Sequence, residues 1–256
     1  MSPMKLAILL CDTPLPAVVS TYGDYTVIFH RLLSSAPSAP SFTLDPYDVV
    51  SAKAYPEDPT SYDAILLTGS KHSAHENDAW IHKLVDFVRT TASLHPQVKL
   101  IGICFGHQII ARALGGDKAC VVNTAGWEVG PTKIELTPLG EKIFGKPGEL
   151  VMQQMHRDHV PSLPPGFHLL ASTSVAPVQG MVKFQDGQEE DVHIFAVQGH
   201  PEFTEPMVSI MVETRGASGI LSKEIVEDVG KRKDMPTDGV LVANSIWRIL
   251  QSSRHS

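Results

Sequence analysis

Cysteine is scarce in this chain: there are three in 256 residues, Cys11, Cys104 and Cys120. An odd, sparse set with no signal-type segment ahead of it argues against a disulfide scaffold and for a reducing, cytoplasmic setting. Long apolar runs are missing as well. None reaches the ~18 residues of a membrane-spanning helix. The first run, Leu6 to Cys11, is too short for a secretory core and stops at Asp12-Thr13-Pro14. Positive charge is in deficit, with 21 Lys and Arg against 28 Asp and Glu and a net charge of −7, so nucleic acid is not an expected partner. Charged residues make up 19% and hydrophobic residues 43%, which excludes disorder, collagen and coiled coil. No internal repeat is visible, and no Gly-x-Ser-x-Gly occurs, which disfavours a serine α/β-hydrolase.

What remains is a chain long enough to bury its own core, read as one domain over residues 1–256. Three short apolar runs look like buried parallel strands: Lys5 to Cys11, Tyr62 to Thr68 and Val98 to Cys104. Ser34 to Ser41 reads as a Pro/Ser loop. Ala79 to Thr90 has helical spacing, with Trp80, Leu84, Phe87 and Val88 on one face, and Phe105 to Leu114 is a helix closed by Gly115-Gly116. The middle turns β-rich, at Val129 to Leu136, Phe167 to Ser172 and Val178 to Gln185. A turn at Asp186-Gly187 then leads into His193 to Gln198. Helices are expected at Pro206 to Glu213 and Asp238 to Gln251. The sum is an α/β fold, a largely parallel central sheet flanked by helices (a flavodoxin-like core) with a small antiparallel β insert. In such sheets, sites lie beyond the carboxyl ends of the strands.

The sharpest chemical signal is Gly102-Ile103-Cys104-Phe105-Gly106, between a predicted strand and a predicted helix. It has the form of a nucleophile elbow with sulfur in place of oxygen. The helix dipole that starts at Phe105 favours thiolate over thiol, and the Phe105 amide can bind an oxyanion. A buried strand-end cysteine is the bland alternative, and it suits Cys11 and Cys120, which lack this setting. A cysteine nucleophile needs a base, and the base an orienting partner. Gly199-His200-Pro201-Glu202 supplies both, because residues two apart on extended chain face the same way. Thr68-Gly69-Ser70 closes another strand and offers a backbone that can approach a ligand. Met155-His156-Arg157-Asp158 reads more simply as a solvated loop. His72 and His75 have no acidic third ligand placed beside them, so no metal site is expected. Nothing in the chain calls for a cofactor.

Taken together, Gly102-Ile103-Cys104-Phe105-Gly106-His107-Gln108 and, 96 positions beyond Cys104, His200-Pro201-Glu202 resemble the class I (triad) glutamine amidotransferase family. The resemblance runs from Lys5 to about Phe203. It implies Cys104 as nucleophile, His200 as base and Glu202 as its orienter. It further implies oxyanion amides from Gly69 and Phe105, and a glutamyl contact from Gln108. The segment with Met155, His156 and Asp158 then falls where family members contact the α-amino and α-carboxylate end of the substrate. Ser70 replaces a second glycine there, and Met155 and Arg157 replace serine and glycine. Tyr22-Gly-Asp-Tyr25, Asp78-Ala-Trp80-Ile81 and Gly126-Trp127-Glu128-Val129-Gly130 look most like the free-standing branch, which includes cytosolic fungal and plant members, some of them γ-glutamyl peptidases.

Only 54 residues follow Glu202, too few for a synthetase module. The expected activity is therefore hydrolysis of a γ-glutamyl amide bond in glutamine or a γ-glutamyl peptide. It would release glutamate plus either ammonia for a separate partner or a small amine. A non-catalytic binding or regulatory module is the alternative, and the intact triad residues speak against it.

Overall fold

The computed structural model describes residues 2–185 and 188–252, without the side chains of 188–190. The turn expected at Asp186-Gly187 lies outside the described residues. The first half runs β1 (Met4–Leu10), α1 (Pro16–Tyr22), α2 (Tyr25–Ser34), β2 (Phe42–Asp48), β3 (Ala64–Leu67), α3 (Ala79–Leu94), β4 (Lys99–Ile103) and α4 (Phe105–Gly115). The second half adds β5 (Val121–Val122), β6 (Glu128–Leu136), α5 (Pro138–Phe144), β7 (Glu149–His156), β8 (Asp158–His159), β9 (His168–Ser172), β10 (Gly180–Gln185) and β11 (Gln188–Val197). Three helices close the chain: α6 (Glu205–Ala217), α7 (Lys223–Arg232) and α8 (Gly239–Ser252).

The strands form a nine-stranded sheet in the order β2-β1-β3-β4-β11-β10-β9-β6-β7. The five from β2 to β11 are parallel, and the pairs from β11 to β7 are antiparallel. Most of the antiparallel strands thus extend the main sheet, while β5 and β8 make a separate small antiparallel pair. Parallel strands need helical crossovers, and these bury both faces of the sheet. Alternation along each strand divides the core accordingly. Leu6 and Ile8 of β1, Leu66 of β3 and Ile101 of β4 pack with Phe29 of α2 and Trp247 of α8. Ala7 and Leu9, Ile65 and Leu67, and Leu100 face the other way, toward Ile81 and Leu84 of α3 and Ile110 of α4. Of the four expected on one face of α3, Trp80, Leu84 and Val88 are buried and Phe87 half-buried. The stripe Val242, Ile246, Ile249 and Leu250 of α8 is buried throughout.

Strand β2 is an edge strand, and its Pro46 is tolerable for that reason. Strand β7 lies at the opposite edge. It carries Met155 and His156 into buried positions, so the reading of this segment as a solvated loop is corrected. Glu149–His156 pairs along β6 from Glu128 to Glu135, a long-range partner that local periodicity does not reveal.

Candidate active site

Adjacent parallel strands end side by side. β1 runs out into Cys11-Asp12, β3 into Thr68-Gly69-Ser70, β4 into Cys104 and β11 into Gln198-Gly199-His200. Gly69, Ser70, Cys104 and His200 thereby meet at the carboxyl ends of neighbouring strands.

Cys104 sits at the junction of β4 and α4 with φ 51° and ψ −102°, backbone that L-residues rarely adopt. The flanking glycines make this turn possible. A Cβ on Gly102 would lie 2.7 Å from the Gly106 carbonyl oxygen, and one on Gly106 would lie 2.5 Å from that of Leu67. The elbow is tied down by Cys104 N–H donating to Val197 O at 2.9 Å and Gln108 N–H donating to Cys104 O at 3.1 Å. The amide of Phe105, in the first turn of α4, is among those with no acceptor inside the helix.

His200 and Glu202 follow β11. His200 Nδ1 lies 2.8 Å from Glu202 Oε1, and the two side chains are almost fully enclosed. A carboxylate can only accept here, so Nδ1 carries hydrogen and Nε2 is left to face the sulfur. The imidazole stacks on Phe203 with centroids 4.1 Å apart, and its backbone N–H donates to Gln153 O at 2.8 Å. Gly69 is the ring's other neighbour: an added Cβ would stand 2.7 Å from His200 Cε1 and 3.7 Å from Cys104 Cβ. Burial opposes charge on His200. The charges of, and hydrogen bonds to, Cys104 and Glu202 outweigh burial and push the imidazole up to about 10. An imidazolium between sulfur and carboxylate is the state this environment favours.

Gln198 is a contact the sequence analysis passes over. Its Nε2 lies 3.5 Å from Cys104 Sγ. The orientation follows from the network, since Gln108 Nε2 donates both to the Asp158 carbonyl at 2.9 Å and to Gln198 Oε1 at 3.1 Å. The carbonyl accepts only, which fixes both amides and leaves a donor on the sulfur. Its signal in the sequence is position alone, two residues before His200 on extended chain. Gln108, expected to reach the glutamyl moiety, spends its amide hydrogens on this network.

His156 is held from both sides, with Nδ1 3.0 Å from Asp158 O and Nε2 3.1 Å from Glu128 Oε2. Glu128, another residue not singled out, also accepts from Thr173 Oγ1 and Gln179 Nε2, each at 2.7 Å. Asp158 Oδ2 lies 3.4 Å from His75 Nδ1. Ser70 Oγ accepts from His72 N–H at 3.1 Å. His72 does come together with acidic groups, Glu76 and Asp78, whose ligand atoms lie within 4.8 Å of its own, but both carboxylates are exposed. That corrects the expectation that no acid stands near it.

These elements surround a cavity of about 690 Å³. Cys104 and His200 open onto it together with Ser70, Gln108, Met155, His156 and Asp158, whereas Gly69, Phe105 and Glu202 stand behind its wall. Cys11 and Cys120 are buried away from it, and burial pushes both thiols up, Cys11 to about 12. Among the described residues no helix is long and apolar enough to cross a membrane.

Known proteins resemble this chain in sequence and in fold. The family model "Glutamine amidotransferase class-I" matches residues 27–207. A glutamine amidotransferase-like protein of Schizosaccharomyces pombe is 36% identical over 252 residues, 96% of this chain and 98% of that protein. Gamma-glutamyl peptidase 4 of Arabidopsis thaliana is 30% identical over 219 residues, 81% of this chain and 79% of its own. The crystal structure of a glutamine amidotransferase from Thermotoga maritima superposes with a TM-score of 0.70, covering 98% of this chain and all of that one, at 16% identity. Over most of its length, in sequence and in fold, the chain belongs to the glutamine amidotransferase class-I family.

Proposed function

We propose that this protein is a Cys-His-Glu hydrolase of γ-glutamyl amide bonds, working as a single domain over residues 1–256 in the cytoplasm. The observation that carries the reading is the line from Cys104 through His200 to Glu202, on neighbouring strand ends, with Cys104 and His200 facing a roomy cavity. The Cys104 thiolate attacks the γ-carbonyl carbon, and the carbonyl electrons move onto oxygen. The Gly69 and Phe105 amides receive that oxyanion. Collapse breaks the C–N bond, and the amine leaves with the proton of the His200 imidazolium, giving a γ-glutamyl thioester. Neutral His200 then takes a proton from water as the water attacks, the C–S bond breaks, and glutamate departs with thiolate and imidazolium restored. Ser70, Gln108, Met155, His156 and Asp158 bind the glutamyl end in this reading.

The leaving group is a small amine or peptide in preference to ammonia. Likeness to a protein named gamma-glutamyl peptidase supports this, as does a cavity larger than glutamine needs. The test is kcat/KM of the isolated chain for a γ-glutamyl dipeptide and for glutamine, with Cys104→Ala as control. Faster turnover of the dipeptide, abolished by Cys104→Ala, is expected. Faster glutamine hydrolysis, or activity only with a second protein, would assign the chain to ammonia supply. A glutamine-like electrophile should label Cys104 and spare Cys11 and Cys120, whose buried thiols are held protonated.

A further inference from the structure

The acids and cations lining the cavity do not balance. Asp12 is paired with Lys71, whose Nζ lies 2.9 Å from its Oδ1. Asp158 faces His75. Two guanidinium groups lining the same space, Arg157 and Arg215, have no carboxylate partner among the described residues. Arg157 sits beside Asp158, next to the strand end that carries His156. Arg215 comes from the last turn of α6 on a different wall, with its guanidinium carbon 5.8 Å from the Trp127 ring centroid. Glu128, next to Trp127 in the chain, has His156, Thr173 and Gln179 as its partners rather than Arg215. Besides Thr214 and Ser218 next to it in the chain, Arg215 shares the cavity lining with the apolar Trp127, Val18, Met211 and Ile220. The Tyr25 phenol links this wall to the triad. Burial raises it first, then the charges of Glu202, Asp12 and Cys104, while Arg215 acts in the opposite sense, so it lies within the field of both ends.

A γ-glutamyl amide always presents one α-ammonium and one α-carboxylate. Glutamine has nothing more, but a γ-glutamyl amino acid carries a second carboxylate on its leaving group. Arg157 stands between His156 and Asp158, the segment assigned to the glutamyl end, which leaves Arg215 as the guanidinium that ammonia gives no use for and that matches the carboxylate of a departing amino acid. We infer that Arg215 binds the carboxylate of the departing amino acid, with Trp127, Met211 and Ile220 taking its side chain, so that γ-glutamyl amino acids with apolar leaving residues are the substrate class. The inference rests on the γ-glutamyl hydrolase reading above. The guanidinium suits the task because it is always charged, and the indole beneath it restricts its motion before substrate arrives.

The test compares γ-glutamyl-leucine with γ-glutamyl-isopentylamide, the same molecule without the second carboxylate, in the full chain. Wild type should prefer the carboxylate form by roughly ten- to a hundredfold in kcat/KM, mainly through KM, as a charge-assisted hydrogen bond provides. In Arg215→Ala the ratio of the two should fall to near one, and Arg215→Lys should keep part of it. A merely structural arginine would lower both substrates together and leave the ratio intact. A wild-type ratio near one, or an unchanged ratio in Arg215→Ala, overturns the assignment. Should neither compound be hydrolysed, the hydrolase reading fails by itself. The same ratio, read as Kd by calorimetry on Cys104→Ala with and without Arg215→Ala, then decides the subsite.

Discussion

At Cys104 one residue combines the nucleophile of the proposed reaction with a strained backbone. With φ at 51° a side chain at this position costs on the order of 1–3 kcal/mol, which glycine would not. Cys104→Gly should therefore be more stable than Cys104→Ala by about 1 kcal/mol in urea unfolding, although both lose hydrolysis. Equal stabilities would mean that the elbow relaxes without cost. His200→Ala should lower kcat by about 10²–10⁴-fold, since in the proposed mechanism the base and the nucleophile act as a unit. Glu202→Gln still accepts from Nδ1 and gives up only the charge. Because a Cys–His pair works with a neutral amide as third member in other folds, its loss should be smaller, roughly tenfold to a hundredfold. A Glu202→Gln enzyme as dead as Cys104→Ala would give the carboxylate a role beyond orienting the ring.

Among the elements, α4 matters most to the site, and its approach to β3 is set by one missing side chain. Gly106 lies so close to Leu67 that a methyl group would meet the carbonyl oxygen at 2.5 Å, and backbone cannot move aside as a flexible side chain can. Gly106→Ala should push the helix off the sheet, costing about 1–3 kcal/mol of stability. It should also lower kcat by shifting Cys104 against His200. Wild-type kinetics in a well-folded Gly106→Ala would show that the elbow tolerates the displacement. Pro16–Asp48 carried no expected element, although α2 has legible signals. Asp24 accepts from Val27 N–H at 3.0 Å as its N-cap, and Tyr25, Ile28, Phe29, Leu32 and Leu33 form its buried stripe. Strand β2 was less legible, since an edge strand with Pro46 and exposed positions has neither the apolar run nor the alternation of a buried one.

For the whole molecule, the sheet encloses histidines that the fold keeps neutral. Burial, then the charge of His156, pushes His107 down to about 3. Burial, then Lys99 and Lys183, pushes His193 down to about 4. Unfolded histidines titrate near 6.5, so below that pH the unfolded chain takes up protons that the fold refuses. These groups contribute stability that is complete above pH 6.5 and is lost as pH falls toward 4. The loss should be on the order of 3 kcal/mol for each by pH 4. Tm should fall over this window, and His193→Gln should flatten the fall. A Tm profile unchanged by the substitution would place the acid sensitivity elsewhere.

Features that depend on neighbours along the chain are readable in the sequence. Gly102-x-Cys104-x-Gly106 announces a tight strand-to-helix turn because only small flanks fit it, and His200-Pro201-Glu202 sets a base beside an acceptor because two residues on extended chain share a side. Strands β1, β3 and β4 were legible for the same reason, as short runs of consecutive apolar residues. Tertiary structure decided what requires distant segments to meet. It joined the antiparallel strands to the main sheet and buried Met155 and His156 by pairing β7 with β6. It turned Gln198 toward the sulfur and placed Arg215, without a carboxylate partner among the described residues, on the cavity wall. Each of these depends on strand register and packing across more than 50 positions or more than one element, and no local period encodes such a contact.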